Sequence, residues 1–391
     1  MNNFTYHAPT DVVFGRGVEE KTGEMAVKYG ARKVLIVYGG GSVVRSGLLG
    51  RVEESLKKAG VSYVEFGGAK PNPTLAHAEE GVKLAVAENC NMMIAVGGGS
   101  SIDTAKAIAH GTANSDHSLW DIWSKKIPLE KSLPIGAVLT IPAAGSEMSD
   151  SAVLTNEELG KKGGINTEFN RCRFAIMNPE LCYTLPKYQL AAGITDIMMH
   201  TMERYFIPGI KCDMTDEIAE GLLRTVIKNA RIVMEDQENY DAMAEIMWAN
   251  SLSHNNLTEC GRGKDFSVHK FGHALSAKYD ATHGASLSAV WGSWANYLYM
   301  NALDRFSQYA RKVWGVTETD DKLASEEGIR LTVQFFKSIG MPTSLSELGV
   351  NPTDEEIHEL ALNATQNDNL KLSRIIPLTS KEAAEIYTNA R

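Results

Sequence analysis

The stretch 91-NMMIAVGGGSSIDTAKAIA-109 carries the reading of the fold. An apolar run of strand length (91–96) ends in three glycines and a serine, and a helical pattern follows from about residue 102. A continuous apolar strand belongs in a parallel sheet covered on both faces. The turn Gly97-Gly98-Gly99-Ser100 falls at that strand's carboxyl end, where open α/β sheets take their ligands. Lacking Cβ atoms, its backbone N–H groups can approach a pyrophosphate closely, and the next helix N-terminus adds partial positive charge.

The same unit recurs upstream. KVLIVYGG (33–40) runs into Gly39-Gly40-Gly41-Ser42, and an amphipathic stretch near 46–59 places Leu48, Leu49, Val52, Leu56 and Ala59 at helical spacing. VSYVEFGG (61–68) reads as the next strand, with Thr74 positioned to cap a helix reaching about residue 88. Downstream, AVLTIP (137–142) and CRFAIM (172–177) read as strands and 160–171 as an exposed loop or hairpin. This alternation implies a doubly covered parallel sheet. Neither glycine turn has GxGxxG spacing, so neither is the standard dinucleotide fingerprint; two on one sheet favour ligand binding over a plain connection.

From about 187 strand signals fade. Helical runs take over at 187–206, 213–234, 238–252, 266–278, 285–302 and 321–339. The expected division is an α/β nucleotide-binding domain over 1–186 and a helical metal-binding domain over 187–391, meeting at Leu185-Pro186. A length of 391 residues suits two cores better than one. The net charge of −9 argues against a nucleic-acid surface, and no run of about 18 apolar residues is present to span a membrane. The first residues lack the basic and apolar regions of a signal peptide. Five scattered cysteines without a CxxC pair read as reduced thiols of a cytoplasmic protein.

Ten histidines occur, and His269, His273 and His283 fall within one segment, FSVHKFGHALSAKYDATHGAS (266–286). In AAGITDIMMHTMERYF, Asp196 and His200 are four residues apart and share a helix face, as His269 and His273 do. A carboxylate with imidazoles suits Zn2+ or Fe2+, and one carboxylate with three neutral imidazoles leaves a net +1 Lewis acid. Burying such groups on apolar helices without partners is costly. His7, His77, His110, His117, His254 and His358 read as residues that pack or cap helices, and Trp120, Trp123, Met148 and Phe266 as core or pocket side chains.

With these motifs in view, the chain resembles the iron-containing alcohol dehydrogenase family, specifically its NADP(H)-dependent butanol dehydrogenase and broad aldehyde reductase branch. The likeness runs nearly end to end: FxYHxPTxVVFGRG (4–17), YGGGS (38–42), GGAKPNPT (67–74), AVGGGSSIDTAKAIA (95–109), LTIPAAGSEMSDSAV (139–153), LPKYQLAAGITDIMMH (185–200) and the histidine segment. The resemblance implies a Rossmann-like N-terminal domain, an all-α C-terminal domain in the dehydroquinate synthase-like architecture, and a homodimer. It implies metal ligation by Asp196, His200, His269 and His283, with His273 beside the nicotinamide and substrate. The implied cofactor contacts are Gly39, Gly40, Gly41, Ser42, Asn72, Gly98, Gly99, Ser100, Asp103, Thr140, Ser146, Ser149, Lys162 and Leu185. The commoner TxxGTGSE pattern is replaced here by Thr140-Ile141-Pro142-Ala143-Ala144-Gly145-Ser146-Glu147, and Ser149 and Ser151 stand where relatives often have asparagine.

The expected reaction is interconversion of primary alcohols and aldehydes with one divalent ion, Fe2+ or Zn2+, and NADP(H) in preference to NAD(H). NAD-preferring members place aspartate where this chain has Gly39, and Ser42 and Arg45 follow to meet a 2′-phosphate. Two rivals are a sugar-phosphate cyclase like dehydroquinate synthase and a non-catalytic metal or nucleotide sensor. The first needs a dense basic cluster, whereas the histidine region offers only Lys264, Lys270 and Lys278. The second lacks an appended partner-binding module.

Overall fold

The structure is a computed structural model describing residues 1–391. The chain divides into two compact units, His7–Thr184 and Leu185–Arg391, the latter including Met1–Tyr6. Asn2 donates its N–H to the Gly261 carbonyl at 2.9 Å, which ties the first residues to the second unit.

The first unit holds β1 (Asp11–Phe14), β2 (Lys33–Tyr38), β3 (Ser62–Phe66), β4 (Met92–Gly97), β5 (Ile135–Leu139), β6 (Ser151–Asn156), β7 (Lys161–Asn166) and β8 (Phe174–Met177). Its helices are α1 (Thr22–Lys28), α2 (Ser42–Arg45), α3 (Leu48–Lys58), α4 (Leu75–Ala87), α5 (Gly99–Ala113) and α6 (Leu119–Trp123). Six strands form one sheet in the order β1-β8-β5-β4-β2-β3, every pairing parallel. Val34–Val37, Met92–Val96 and Phe174–Met177 are fully buried, as continuous apolar strands between two helical layers must be.

The chain leaves β2 for β3 on one side and returns to β4 on the other, so the winding reverses between β2 and β4. Tyr38 pairs with Val96, so the two glycine turns open side by side at the strands' carboxyl ends, the ligand-binding crevice of open sheets.

Local departures from the expectations have physical reasons. The strand expected at 137–142 is Ile135–Leu139: Thr140 still donates to the Gly97 carbonyl at 3.1 Å, but Pro142 has no N–H with which to extend the ladder. The segment 160–171 matches the hairpin expectation, since its strand β7 pairs antiparallel with β6. The edge strand β1 has no sequence signal of its own, because four residues show no periodicity. Thr74 occupies the N-cap of α4 with no side-chain cap bond.

The second unit is helical: α7 (Lys187–Tyr205), α8 (Asp213–Glu235), α9 (Tyr240–His254), α10 (Ser267–Tyr279), α11 (His283–Leu298), α12 (Leu303–Trp314), α13 (Asp321–Ser338), α14 (Asp354–Ala364) and α15 (Ser380–Asn389). Its only β feature is the isolated bridge Leu372–Leu378. Helix α7 is buried on all sides from Leu190 to Tyr205, packed against α8, α9, α10 and α11. The helix expected at 285–302 begins at His283 and ends at Leu298. Helices α12, α14 and α15 were not anticipated, although capping boxes at Thr353/Glu356 and Thr379/Glu382 open the last two. No helix is long and apolar enough to cross a membrane.

Candidate functional site

Within the second unit, α7, α10 and α11 bring the expected ligands to one point. Asp196 Oδ1 lies 3.5 Å from His200 Nδ1, 3.4 Å from His269 Nε2 and 3.6 Å from His283 Nε2. The ligand atoms of Asp196, His200 and His269 all lie within 4.8 Å of one another, and all three residues are buried. His283, the first residue of α11, is the most exposed of the four.

Two local features produce this convergence. The four-residue spacing sets Asp196 and His200 on one face of α7. Asp280, with φ +51°, ends α10, and only Asp280–Thr282 separate it from α11, so His283 returns beside His269 at a ring separation of 5.3 Å.

The cluster fits a metal ion. Asp196 Oδ1, His200 Nδ1 and His269 Nε2 are buried and make no hydrogen bond. Each buried polar atom left so costs about 1–3 kcal/mol, a cost that a shared cation removes. Asp196 Oδ1 has an imidazole nitrogen of each of the three histidines 3.4–3.6 Å away, close enough for one ion to be held by all four residues. One carboxylate among imidazoles is a donor set for Zn2+ or Fe2+.

Electrostatics separates the imidazoles. Burial first, then the neighbouring imidazoles His254 and His269, holds His200 well below the ordinary histidine range, so it is neutral and able to ligate. Burial also acts to lower His269, but the carboxylates of Glu203 and Asp196 outweigh it and push it up to about 9.

His273 stacks on His283 at 5.2 Å and lies 6.1 Å from the His269 ring, adjacent to the cluster. Phe266 stands at the N-cap of α10 with φ +62°, a region few bulky residues occupy. Its ring is edge-on to His269 at 5.0 Å and His200 at 6.0 Å, while the Arg204 guanidinium lies over it at 4.7 Å. Trp123 and Met148, in contrast, are core residues of the first unit.

His254, expected to pack, does so on His200 with centroids 3.9 Å apart. One residue near the cluster carried a signal that was not used. Glu203 has its carboxylate against His269 Nδ1; the signal for it was its place on α7, seven residues after Asp196 and three after His200.

In the first unit the expected cofactor residues gather around the glycine turns. Ser42 opens α2, and the Ser42 N–H donates to the Gly40 carbonyl at 2.6 Å. Gly98 is the N-cap of α5, and a β-carbon there would lie 2.2 Å from Ile141 Cγ2, so no side chain fits under the 140–150 loop. Lys162 donates to Asn72 Oδ1 at 3.0 Å, joining β7 to the loop before α4. Thr140 follows β5, and the Leu185 carbonyl, in the second unit, accepts from Gln237 at 2.8 Å.

Asp103, Ser146 and Ser149 are engaged inside the protein. Asp103 accepts from Ser146 Oγ at 2.6 Å and Val153 N–H at 2.9 Å, and Ser149 Oγ accepts from Ser151 N–H at 3.0 Å. Lys106, fully buried and not singled out in the sequence, donates to Ser146 Oγ at 2.8 Å and the Ser151 carbonyl at 2.9 Å. Burial raises the Asp103 pKa and the Lys106 ammonium opposes it. These side chains brace the 140–151 loop from within.

The chain is similar to known proteins over its whole length. The profile described as iron-containing alcohol dehydrogenase matches residues 9–179, and that of the Fe-containing alcohol dehydrogenase C-terminal region matches 190–391. The chain is 38% identical over 389 residues to NADH-dependent butanol dehydrogenase A of Clostridium acetobutylicum, covering 99% of each. It is 35% identical over 396 residues to NADPH-dependent aldehyde reductase YqhD of Escherichia coli, covering all of both. The crystal structure of an NADH-dependent butanol dehydrogenase A from Thermotoga maritima superposes with a TM-score of 0.95 at 37% identity, covering 100% of this chain and 99% of that one. The oxidoreductase reading is thereby favoured over the cyclase and sensor readings. The chain belongs to the iron-containing alcohol dehydrogenase family and is an alcohol/aldehyde oxidoreductase of the butanol dehydrogenase-like kind.

Proposed function

We propose that the protein interconverts primary alcohols and aldehydes by hydride transfer to or from NADP(H), with one divalent ion, Fe2+ or Zn2+, held by Asp196, His200, His269 and His283. The first unit takes the nucleotide and the second the metal. The observation that carries this reading is the trio of buried, unbonded atoms Asp196 Oδ1, His200 Nδ1 and His269 Nε2 facing one another. When bound, the ion supplies Lewis acidity toward a carbonyl or hydroxyl oxygen and the nicotinamide exchanges the hydride.

The chain's own residues do the rest. Asp196 is the one anionic ligand, so the imidazoles leave the site cationic where alkoxide charge develops. His273, stacked on His283, holds and passes the proton at the substrate oxygen. The backbone N–H groups of the two glycine turns receive the pyrophosphate at the sheet's switch point. The relatives' names divide between NADH and NADPH, so cofactor choice rests on this chain's residues. Gly39 brings no carboxylate against a 2′-phosphate, Ser42 offers a hydroxyl, and Arg45 folds back over Gly41, its Nη1 2.8 Å from where a β-carbon would sit.

Aldehyde-dependent NADPH oxidation by the purified protein, measured beside its metal content, tests the reading. His269→Ala and His283→Ala should each lose most of the metal and nearly all turnover. Full metal occupancy in both variants would remove this ligand set.

A further inference from the structure

Glu203 lies on the same face of α7 as Asp196 and His200, and its side chain is almost completely buried. Its two oxygens do different things. Oε1 accepts the N–H groups of Val268 at 2.6 Å and His269 at 3.3 Å. Oε2 meets His269 Nδ1. The first contact completes the capping of α10: Asp265 Oδ1 takes the Ser267 N–H at 2.8 Å, and Phe266 at the N-cap has no side-chain oxygen for the next two. The second bears on chemistry. A neutral imidazole carries one proton, and a carboxylate with no proton to give can only accept it.

We propose that Glu203 is a positioning residue for the metal site, acting through His269. It holds the imidazole proton on Nδ1, leaves Nε2 bare toward Asp196 Oδ1, and fixes the ring plane by gripping the same residue's backbone N–H. Glu203 thus couples the start of α10 to the nitrogen presented to the ion. Carboxylates placed behind ligating histidines commonly tune affinity in this way. The proposal rests on His269 being a ligand, and the experiment separates the two claims.

Glu203→Gln discriminates a cap from a tautomer lock. The Gln carbonyl oxygen can keep both backbone N–H groups, but its amide then faces Nδ1 with a donor, which drives the imidazole proton to Nε2, the nitrogen needed by the ion. The full-length protein is stripped with chelator and titrated with Zn2+ against a competing indicator, with thermal melts of the metal-free forms alongside. E203Q should melt near the wild type and bind Zn2+ about 10–100-fold more weakly. His269→Ala should bind more weakly still. Zn2+ affinity unchanged in E203Q, with H269A impaired, overturns the role of Glu203. Unchanged affinity in H269A overturns the ligand assignment instead. Should E203Q fail to fold, 15N histidine spectra of the Zn2+-loaded wild-type protein decide the matter: a His269 ring whose proton sits on Nδ1 supports the proposal, and one protonated on Nε2 overturns it.

Discussion

A β-carbon on Gly284 would lie 2.0 Å from the carbonyl oxygen of Ala192, so α11 meets α7 backbone to backbone beside His283. This contact brings His283 within 3.6 Å of Asp196. Gly284→Ala must push the two helices apart, since the obstacle is main chain and cannot rotate away. Overpacking of this kind costs about 1–3 kcal/mol. We expect a lower denaturation midpoint together with weaker metal retention, read by urea melts and elemental analysis. Wild-type values in both would show that the helices can separate without disturbing His283.

The nucleotide preference has its own test at Gly39. A β-carbon there would sit 3.2 Å from the Ala69 carbonyl oxygen and 3.7 Å from Ser101 Oγ, tight but tolerable with a small shift. Gly39→Asp should therefore fold and repel a 2′-phosphate. Losing a charge-assisted contact worth about 1.5–3 kcal/mol should lower the NADPH/NADH ratio of kcat/KM by roughly 10–150-fold. A wild-type enzyme that clearly prefers NADH in steady-state assays would contradict the proposal.

His273 is expected to matter for rate and not for metal binding. Its ring stacks on His283 at 5.2 Å and lies 6.1 Å from the His269 ring, beside the ligand set. His273→Ala should keep its metal and lose about 10²–10⁴-fold in kcat, the usual worth of a positioned acid–base group. Measurement needs saturating NADPH and a short-chain aldehyde. An unchanged kcat in a metal-replete variant removes His273 from the chemistry, and loss of metal moves it into the ligand set.

Acid sensitivity should trace in part to Asp216. Its carboxylate pairs with Arg262, and Arg305 reaches both oxygens at 2.8 and 2.9 Å. Burial alone would raise its pKa, but the hydrogen bonds from the two guanidinium groups outweigh burial and hold it below the ordinary carboxylate value. A depressed folded-state pKa contributes stability that is fully present above the unfolded value, about 3.9, and is lost as pH falls through the folded one. Asp216→Asn leaves two buried guanidinium groups uncompensated, and we expect a loss of about 3–5 kcal/mol near neutrality. The gap between wild type and variant in urea melts should narrow below about pH 4. A gap independent of pH would mean that the ionised carboxylate is not the stabilising species.

Much of this was legible along the chain because the signals are local. The apolar runs at 33–38 and 92–96, each ending in a glycine turn, are strands of a covered parallel sheet whatever surrounds them. The four-residue spacing of Asp196 and His200 dictates a shared helix face, and the turn between Tyr279 and His283 permits the return that adds the third imidazole, His283. Where local signals were weak, as in the four-residue edge strand β1 or the strand cut short before Pro142, the expectation missed or overran.

Other properties depend on neighbours distant in sequence, which no spacing rule encodes. The strand order that sets both glycine turns at the switch point arises from the path between β3 and β4. Lys106 reads as one more helical lysine until burial forces its ammonium onto the 146–151 loop, where desolvation leaves no alternative to hydrogen bonding. The sequence by itself determined the fold class and which side chains were available as ligands, because period and spacing are properties of the local chain. Only tertiary structure decided that Glu203, sixty-six positions before His269, lies behind it: that contact exists because α7 and α10 bury their polar atoms against each other, and in a dry core each such atom must find its partner.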